Sequence, residues 1–463
     1  MHWAKLYSDL RSTDNNDSNA ADELRTSFIK DYDRIIFSSA FRRLQNKTQV
    51  FPLPGAAFVH NRLTHSLEVA SVGRSLGKAV GKQLADKYAA DNTRAFEDFY
   101  RHELSSVISA ACLAHDIGNP PFGHSGEDAI RSYFIGLDKE IQAFFQNNMT
   151  ANQWADFTHF EGNSNAFRIL THSYAEEKSA YNITQTTLAS IVKYPSNSIN
   201  GFDKSAGLIS RKKSGFFDQE IPQWEQIAAE LGIFKVPGLE NEMVFVRHPF
   251  VYLTEAADDI CYRVIDMEDA HRLGIVSYDE VLAHFLPFFD DDNAYQNKKR
   301  IEERLASLND PNQKVQYLRA VWISRMVQLS TDAFLNNEAA LLQGSLQVSL
   351  IDAIPQQYQP LLKAIDDFSY ERIYQHKTVV EIEIAGFQVI GNLLDIFMKA
   401  LLDPDVARSK KVLQLIPTQF PVQPKQQSLY QNVLSVTDFI SGMTDLYAID
   451  LYRKITGITI KAF

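Results

Sequence analysis

The chain has 463 residues, 45% of them hydrophobic, with only 20 glycines and 16 prolines, and a formal net charge of −11. That composition excludes collagen-like, disordered and turn-rich all-β classes. The charge opposes non-specific binding to nucleic acid or to an anionic membrane unless basic residues are gathered locally. The only cysteines, Cys112 and Cys261, cannot build a disulfide framework or a four-cysteine zinc site, which points to a reducing, cytoplasmic address.

Taken in chain order, the N-terminal stretch carries acids from Asp9 onward and lacks the apolar run of a signal peptide. Apolar residues then recur with helical period over 61–88, 100–117, 249–273, 299–307, 315–335, 385–403 and 428–456. Residues 48–59 and 231–247, rich in Phe, Val, Pro and Gly, read as extended or looped, and 195–215 and 404–427 as loops whose RKK and KK clusters fit either solvated linkers or phosphate-facing segments. The most apolar window, 385–402, is interrupted by Gln388, Asn392, Asp395 and Lys399 and reads as a buried helix rather than a membrane span. The expected fold is all-α and continuous, with a site-bearing core over about 30–275 and a C-terminal helical part over about 276–463. No internal repeat marks a domain boundary.

GxGxxG, HExxH, GxSxG and Walker A motifs are absent, and Gly73-Arg-Ser-Leu-Gly77-Lys78 is one residue too short for a phosphate loop and lies mid-helix. The informative segment is ISAACLAHDIGNPPFGHSGEDAIRSYF. Leu104, Ile108, Ala111 and His115 share one helix face, so an apolar stripe ends in an inward histidine. Asp116 follows, and Gly118, Pro120 and Pro121 stop the helix, so an imidazole and a carboxylate emerge together at its C-terminus. A core histidine bonded by its neighbour is the plain alternative. In FGHSGED, Ser125 and Asp128 match a capping box and predict a helix start with free N–H groups, with His124 just outside it and Glu127 within reach of the imidazole. In VYLTEAADDICYRVIDMEDAHRL, Asp258, Tyr262 and Asp266 share the face opposite Leu253, Ala257, Ile260, Val264 and Met267. That face is either solvated or the lining of a cleft.

His65, the His115-Asp116 pair and Asp258, in this order, resemble the H…HD…D signature of the HD-domain phosphohydrolases. RRLQNKTQVFP, RLTHSLEV, HDIGNPPFGHSGE, HFEGN, IVKYP, EAADDICY with DMEDA, and FISGMTDLYAIDLYRK resemble the deoxynucleoside triphosphate triphosphohydrolases, in the bacterial dGTPase-like branch. The resemblance implies an HD-domain helical fold with helical elaborations and hydrolysis of a dNTP, dGTP foremost, to the deoxynucleoside and tripolyphosphate. It implies one divalent ion (Mn²⁺, Mg²⁺ or Fe²⁺) on His65, His115, Asp116 and Asp258, the last preferred to Asp259 because the family's tyrosine stands four residues after its ligand, as Tyr262 does here. His124 and Glu127, helped by His159, take the catalytic role, and Arg43, Arg62 and Lys193 meet the triphosphate. Asn163, Tyr262 and Asp266 are the nucleoside contacts, Gln45 a further base or sugar contact, and Arg453 a substrate contact for which, as for Asp445, helix packing is the alternative. The family also implies a homo-oligomer, commonly a hexamer, with dNTP effectors. Rival readings are another HD enzyme acting on nucleoside monophosphates or cyclic nucleotides, and a non-enzymatic nucleotide or single-strand nucleic-acid binder, which neither an aromatic platform nor a basic arm supports.

Overall fold

The computed structural model describes residues 1–11, 25–51, 59–90, 93–173, 181–290 and 298–458. The helices that position the site are α1 (Ser27–Ile36), α2 (Arg62–Tyr88), α3 (Leu104–Ala114), α4 (His124–Ile135), α5 (Gly162–Thr171), α6 (Val251–Arg272), α7 (Pro311–Asn336), α8 (Lys377–Leu402), α9 (Leu429–Ser441) and α10 (Asp445–Ile455). The chain is all-α: among the described residues no strand forms, and the stretch over 231–247 contributes only isolated bridges such as Lys235 to Phe245. Within 48–59, residues 52–58 lie outside the described residues.

Helix α2 starts where Asn61 and Thr64 form a capping box, the Asn61 side chain accepting the Thr64 N–H and the Thr64 hydroxyl accepting the Asn61 N–H. Its glycines form a seam against α3: a Cβ on Gly77 would lie 2.9 Å from Ser105 Cα, and one on Gly73 2.4 Å from Cys112 Sγ. The Gly73…Gly77 spacing therefore serves close helix packing, which brings the backbones of α2 and α3 together beneath the site.

Several expected boundaries shift. The expected 428–456 helix is two, broken because Thr444 caps α10 by accepting the Tyr447 N–H. Helix α8 starts eight residues before the expected 385, and 404–427 contains the helix Ala407–Leu413. The capping box at Ser125 does not form: Gly123 is the N-cap of α4 with φ +59°, Asp128 pairs with Arg131, and His124 is the first helical residue. By length and composition α8 could span a membrane, with a mean hydropathy of 1.4 in its best window, yet half of that window is buried inside the protein.

The apolar core forms two clusters. One joins Trp3, α2, α3, α6 and α7, and the other packs Ile130 and Phe134 of α4 against Leu393, Leu394 and Phe397 of α8, Val433 of α9 and Ala448 of α10. The helix that opens with His124 thus belongs to the same packed unit as the C-terminal helices.

Candidate active site

Four side chains converge where α2, α3 and α6 meet. The ligand atoms of His65, His115 and Asp116 lie within 4.8 Å of one another. Asp258 Oδ1 is 3.1 Å from His65 Nε2 and 3.4 Å from His115 Nε2. His115 follows the last residue of α3, and its Nδ1 lies 2.7 Å from the Cys112 carbonyl. A carbonyl only accepts, so Nδ1 carries the proton and Nε2 offers a lone pair to the cavity.

The charges around this cluster are matched. Arg62 donates to Asp116 Oδ2 at 2.6 Å and Lys193 to Asp258 Oδ2 at 3.1 Å. Burial alone would raise both carboxyls, but Arg62 with the imidazoles, and Lys193 with His115, hold them below the usual carboxylate range. Burial would likewise lower His115, and the carboxylates of Asp116 and Asp258 raise it instead.

The donor set fits a divalent cation. His115 Nε2 is buried without a hydrogen-bond partner, although it faces carboxylate oxygens at 3.4 and 3.5 Å. A histidine whose other nitrogen is held by a carbonyl is oriented as metal-bound histidines are. Two imidazoles and two carboxylates suit Mn²⁺, Mg²⁺ or Fe²⁺ better than a closed structural zinc.

The cluster forms the floor of a cavity of about 500 Å³, a volume in the range of small-ligand sites. On one side His124 opens α4, its side chain 79% accessible, with Nδ1 2.9 Å from Glu127 Oε2. Glu127 is 1% accessible, and its other oxygen accepts the Gly162 N–H at 2.7 Å. A Cβ on Gly162 would lie 2.6 Å from Glu127 Oε1, so the glycine of HFEGN permits this approach. Burial opposes ionisation of Glu127, but the bond and charge of His124 bring it down to about 2. The same hydrogen bond raises His124. The pairing favours the charged imidazole, with Nε2 as the nitrogen available to a bound molecule.

Arg62, Asn163, Lys193, Tyr262 and Asp266 also line the cavity, and Asp258 rather than Asp259 faces it. The α6 face carrying Asp258, Tyr262 and Asp266 is therefore a cleft lining. Asp266 accepts the Tyr374 hydroxyl at 2.7 Å, and burial pushes its carboxyl up to about 7 against that bond. Four expected residues stand off the cavity wall. Arg43 reaches toward Ser39 Oγ at 3.4 Å, Gln45 is exposed, and Arg453 is exposed in the last turn of α10. His159 stacks on Phe202 at 4.9 Å with Nδ1 3.1 Å from the Ser198 carbonyl.

Residues not singled out from sequence join the wall. Asn119 donates to Asp116 Oδ1. Lys213 and Asn163 both donate to Glu161 Oε1, at 2.9 and 2.6 Å. Lys213 belongs to the RKK cluster, so its basic signal was visible; Tyr374 had none, being 108 residues from its partner Asp266.

Two family patterns match the chain, the HD domain over residues 62–193 and the phosphohydrolase-associated domain over residues 353–454. The chain is 38% identical to a deoxyguanosinetriphosphate triphosphohydrolase-like protein of Synechocystis sp., over 94% of this chain and 95% of that protein. It is 38% identical to a protein of the same description from Pseudomonas aeruginosa, over 99% of each. A deoxyguanosinetriphosphate triphosphohydrolase of Serratia proteamaculans is 31% identical, over 92% of this chain and 93% of that protein.

Proposed function

The chain belongs to the deoxyguanosinetriphosphate triphosphohydrolase-like family of HD-domain hydrolases, and on that premise we propose that it hydrolyses deoxynucleoside triphosphates, dGTP foremost, to the deoxynucleoside and inorganic tripolyphosphate. The observation that carries this reading is that His124, bonded to the buried Glu127, lines the same cavity as His65, His115, Asp116 and Asp258. A proton donor beside a cation site suits cleavage that expels a sugar alkoxide.

His65, His115, Asp116 and Asp258 would hold one divalent ion, Mn²⁺, Mg²⁺ or Fe²⁺, which when bound polarises a phosphoryl oxygen and acidifies water. Arg62, Lys193 and Lys213 offset the roughly −4 charge of a triphosphate entering an anionic protein. The same cations stabilise charge that grows on the phosphoryl oxygens. As the oxygen of water bonds to the α-phosphorus and releases one proton to solvent, the bond to the 5′ oxygen breaks and its electron pair goes to that oxygen. His124 Nε2 donates the proton that neutralises the alkoxide, and Glu127 stabilises the imidazolium beforehand. Tyr262, Asp266 and Asn163 recognise the nucleoside, with Tyr374 holding the Asp266 carboxyl in place.

We extend the proposal to one functional unit spanning the HD and phosphohydrolase-associated regions, and to a homo-oligomer, a hexamer, which light scattering after size exclusion would test. The activity is tested by a turnover screen of the four dNTPs and their ribose counterparts with Mn²⁺ and Mg²⁺, singly and in mixtures. Turnover of dGTP with release of deoxyguanosine supports the reading, and inert dNTPs under every metal would refute it.

A further inference from the structure

The turn that delivers His124 to the cavity is strained and is braced by the C-terminal helices. Phe122 has φ +63°, a left-handed conformation that a bulky residue keeps only where its surroundings enforce it. Gly123 follows at φ +59°, where a Cβ would lie 2.4 Å from an Arg62 guanidinium nitrogen, so the next residue must turn into α4 within a narrow space. What enforces Phe122 comes from far along the chain. Asp445, the first residue of α10 and 4% accessible, accepts the Phe122 N–H on Oδ1 at 3.0 Å and the Thr48 N–H on Oδ2 at 2.8 Å. Gly386 of α8 leaves a notch for the Phe122 side chain, since a Cβ there would lie 2.8 Å from Phe122 Cβ. Beside them the buried Lys47 ammonium bridges the Asn119 and Ser441 carbonyls, tying the loop after Asp116 to the end of α9.

We propose that Asp445, working with the Gly386 notch, is a positioning residue for His124: it fixes the Phe122–Gly123 turn so that the imidazole meets Glu127 and the reacting oxygen. The proposal rests on the reading of His124 as the proton donor. It gives the phosphohydrolase-associated region a part in the chemistry through the turn alone, since Asp445 itself touches neither His124 nor the cation cluster. Both carboxylate oxygens are used, so an amide at this position must turn its NH₂ toward one of the two N–H groups and lose that bond.

The test is steady-state dGTP hydrolysis by Asp445→Asn and Gly386→Ala, each alone and each combined with His124→Ala, together with metal content and circular dichroism. Each single substitution is expected to lower kcat about 10- to 100-fold, the usual cost of misplacing a reacting group, with KM and bound metal near wild type. In the His124→Ala background neither substitution is expected to lower the residual rate further, because the group being positioned is gone. A general loss of folded protein would instead lower both backgrounds by the same factor, and that result, or an unchanged kcat in folded single variants, would overturn the proposal. If Asp445→Asn does not fold, Gly386→Ala carries the same comparison. A His124→Ala protein with the wild-type rate would remove the proton-donor reading itself, a different failure from equal losses in both backgrounds.

Discussion

His124 Nδ1 lies 2.9 Å from Glu127 Oε2, pairing a largely accessible imidazole with a carboxylate that is almost wholly buried. Glu127 gains its negative charge at the cost of desolvation and keeps it through the bond and charge of His124 and the nearby charges of Lys213 and Arg131, while the Gly162 N–H binds its other oxygen.

His124→Ala is expected to lower kcat by about 10²–10⁴, the worth of a positioned proton donor, with bound metal unchanged. Glu127→Gln is expected to lose less and to move the alkaline limb of the kcat–pH profile downward. The sign follows from the pair: Glu127 raises His124, so its neutral replacement lets the imidazole lose its proton at lower pH. A mutant profile coinciding with wild type would contradict the role of Glu127.

His115→Ala and Asp116→Ala are each expected to abolish metal binding and turnover while keeping most helix content, because both residues follow the end of α3 rather than building its core. Elemental analysis and circular dichroism read the two effects separately. Stoichiometric metal with normal activity in either variant would rule out this ligand set.

Asp266→Ala is expected to weaken kcat/KM for dNTPs by about 1–3 kcal/mol, the cost of losing a buried hydrogen-bonding group. Tyr374→Phe removes the hydroxyl that Asp266 accepts. The double variant should therefore cost less than the sum of the singles. Strict additivity would separate Tyr374 from sugar recognition.

His60 clamps α2 to α6: its N–H and Nδ1 meet the two Asp269 oxygens at 2.7 and 2.8 Å, and its Nε2 lies 3.2 Å from Glu68. Burial would lower this imidazole, but the two carboxylates raise it to about 10. Its stabilisation is thus fully present below the unfolded value near 6.5 and is lost as pH rises through about 10. His60→Gln is expected to cost about 3 kcal/mol at neutral pH, as for a broken buried ion pair, and the gap to wild type should close toward pH 10. Denaturant melts at pH 6 and pH 10 measure it, and a gap that widens with pH would contradict the assignment.

The parts of the site that local chemistry sets were legible in the sequence. The 3.6-residue period aimed His115 inward, Gly118 and the two prolines stopped α3 where Asp116 emerges, and the face shared by Asp258, Tyr262 and Asp266 proved to be a cleft lining. Tertiary contacts were not legible. Gly123 caps α4 in place of Ser125 because the turn is held from a distance, and residue spacing does not reveal such a brace. The Lys213 contact with Glu161 and the Tyr374 bond to Asp266 likewise depend on partners far away in sequence.

Phosphorus NMR of a dGTP reaction run in ¹⁸O-labelled water reads directly whether the bond broken lies between the α-phosphorus and the 5′ oxygen, because the label then enters the tripolyphosphate. Intact tripolyphosphate, with deoxyguanosine and no phosphorylated nucleoside, is the expected first product. Pyrophosphate with dGMP, or orthophosphate with dGDP, as the first product would contradict it even if every residue of the cation cluster were assigned correctly.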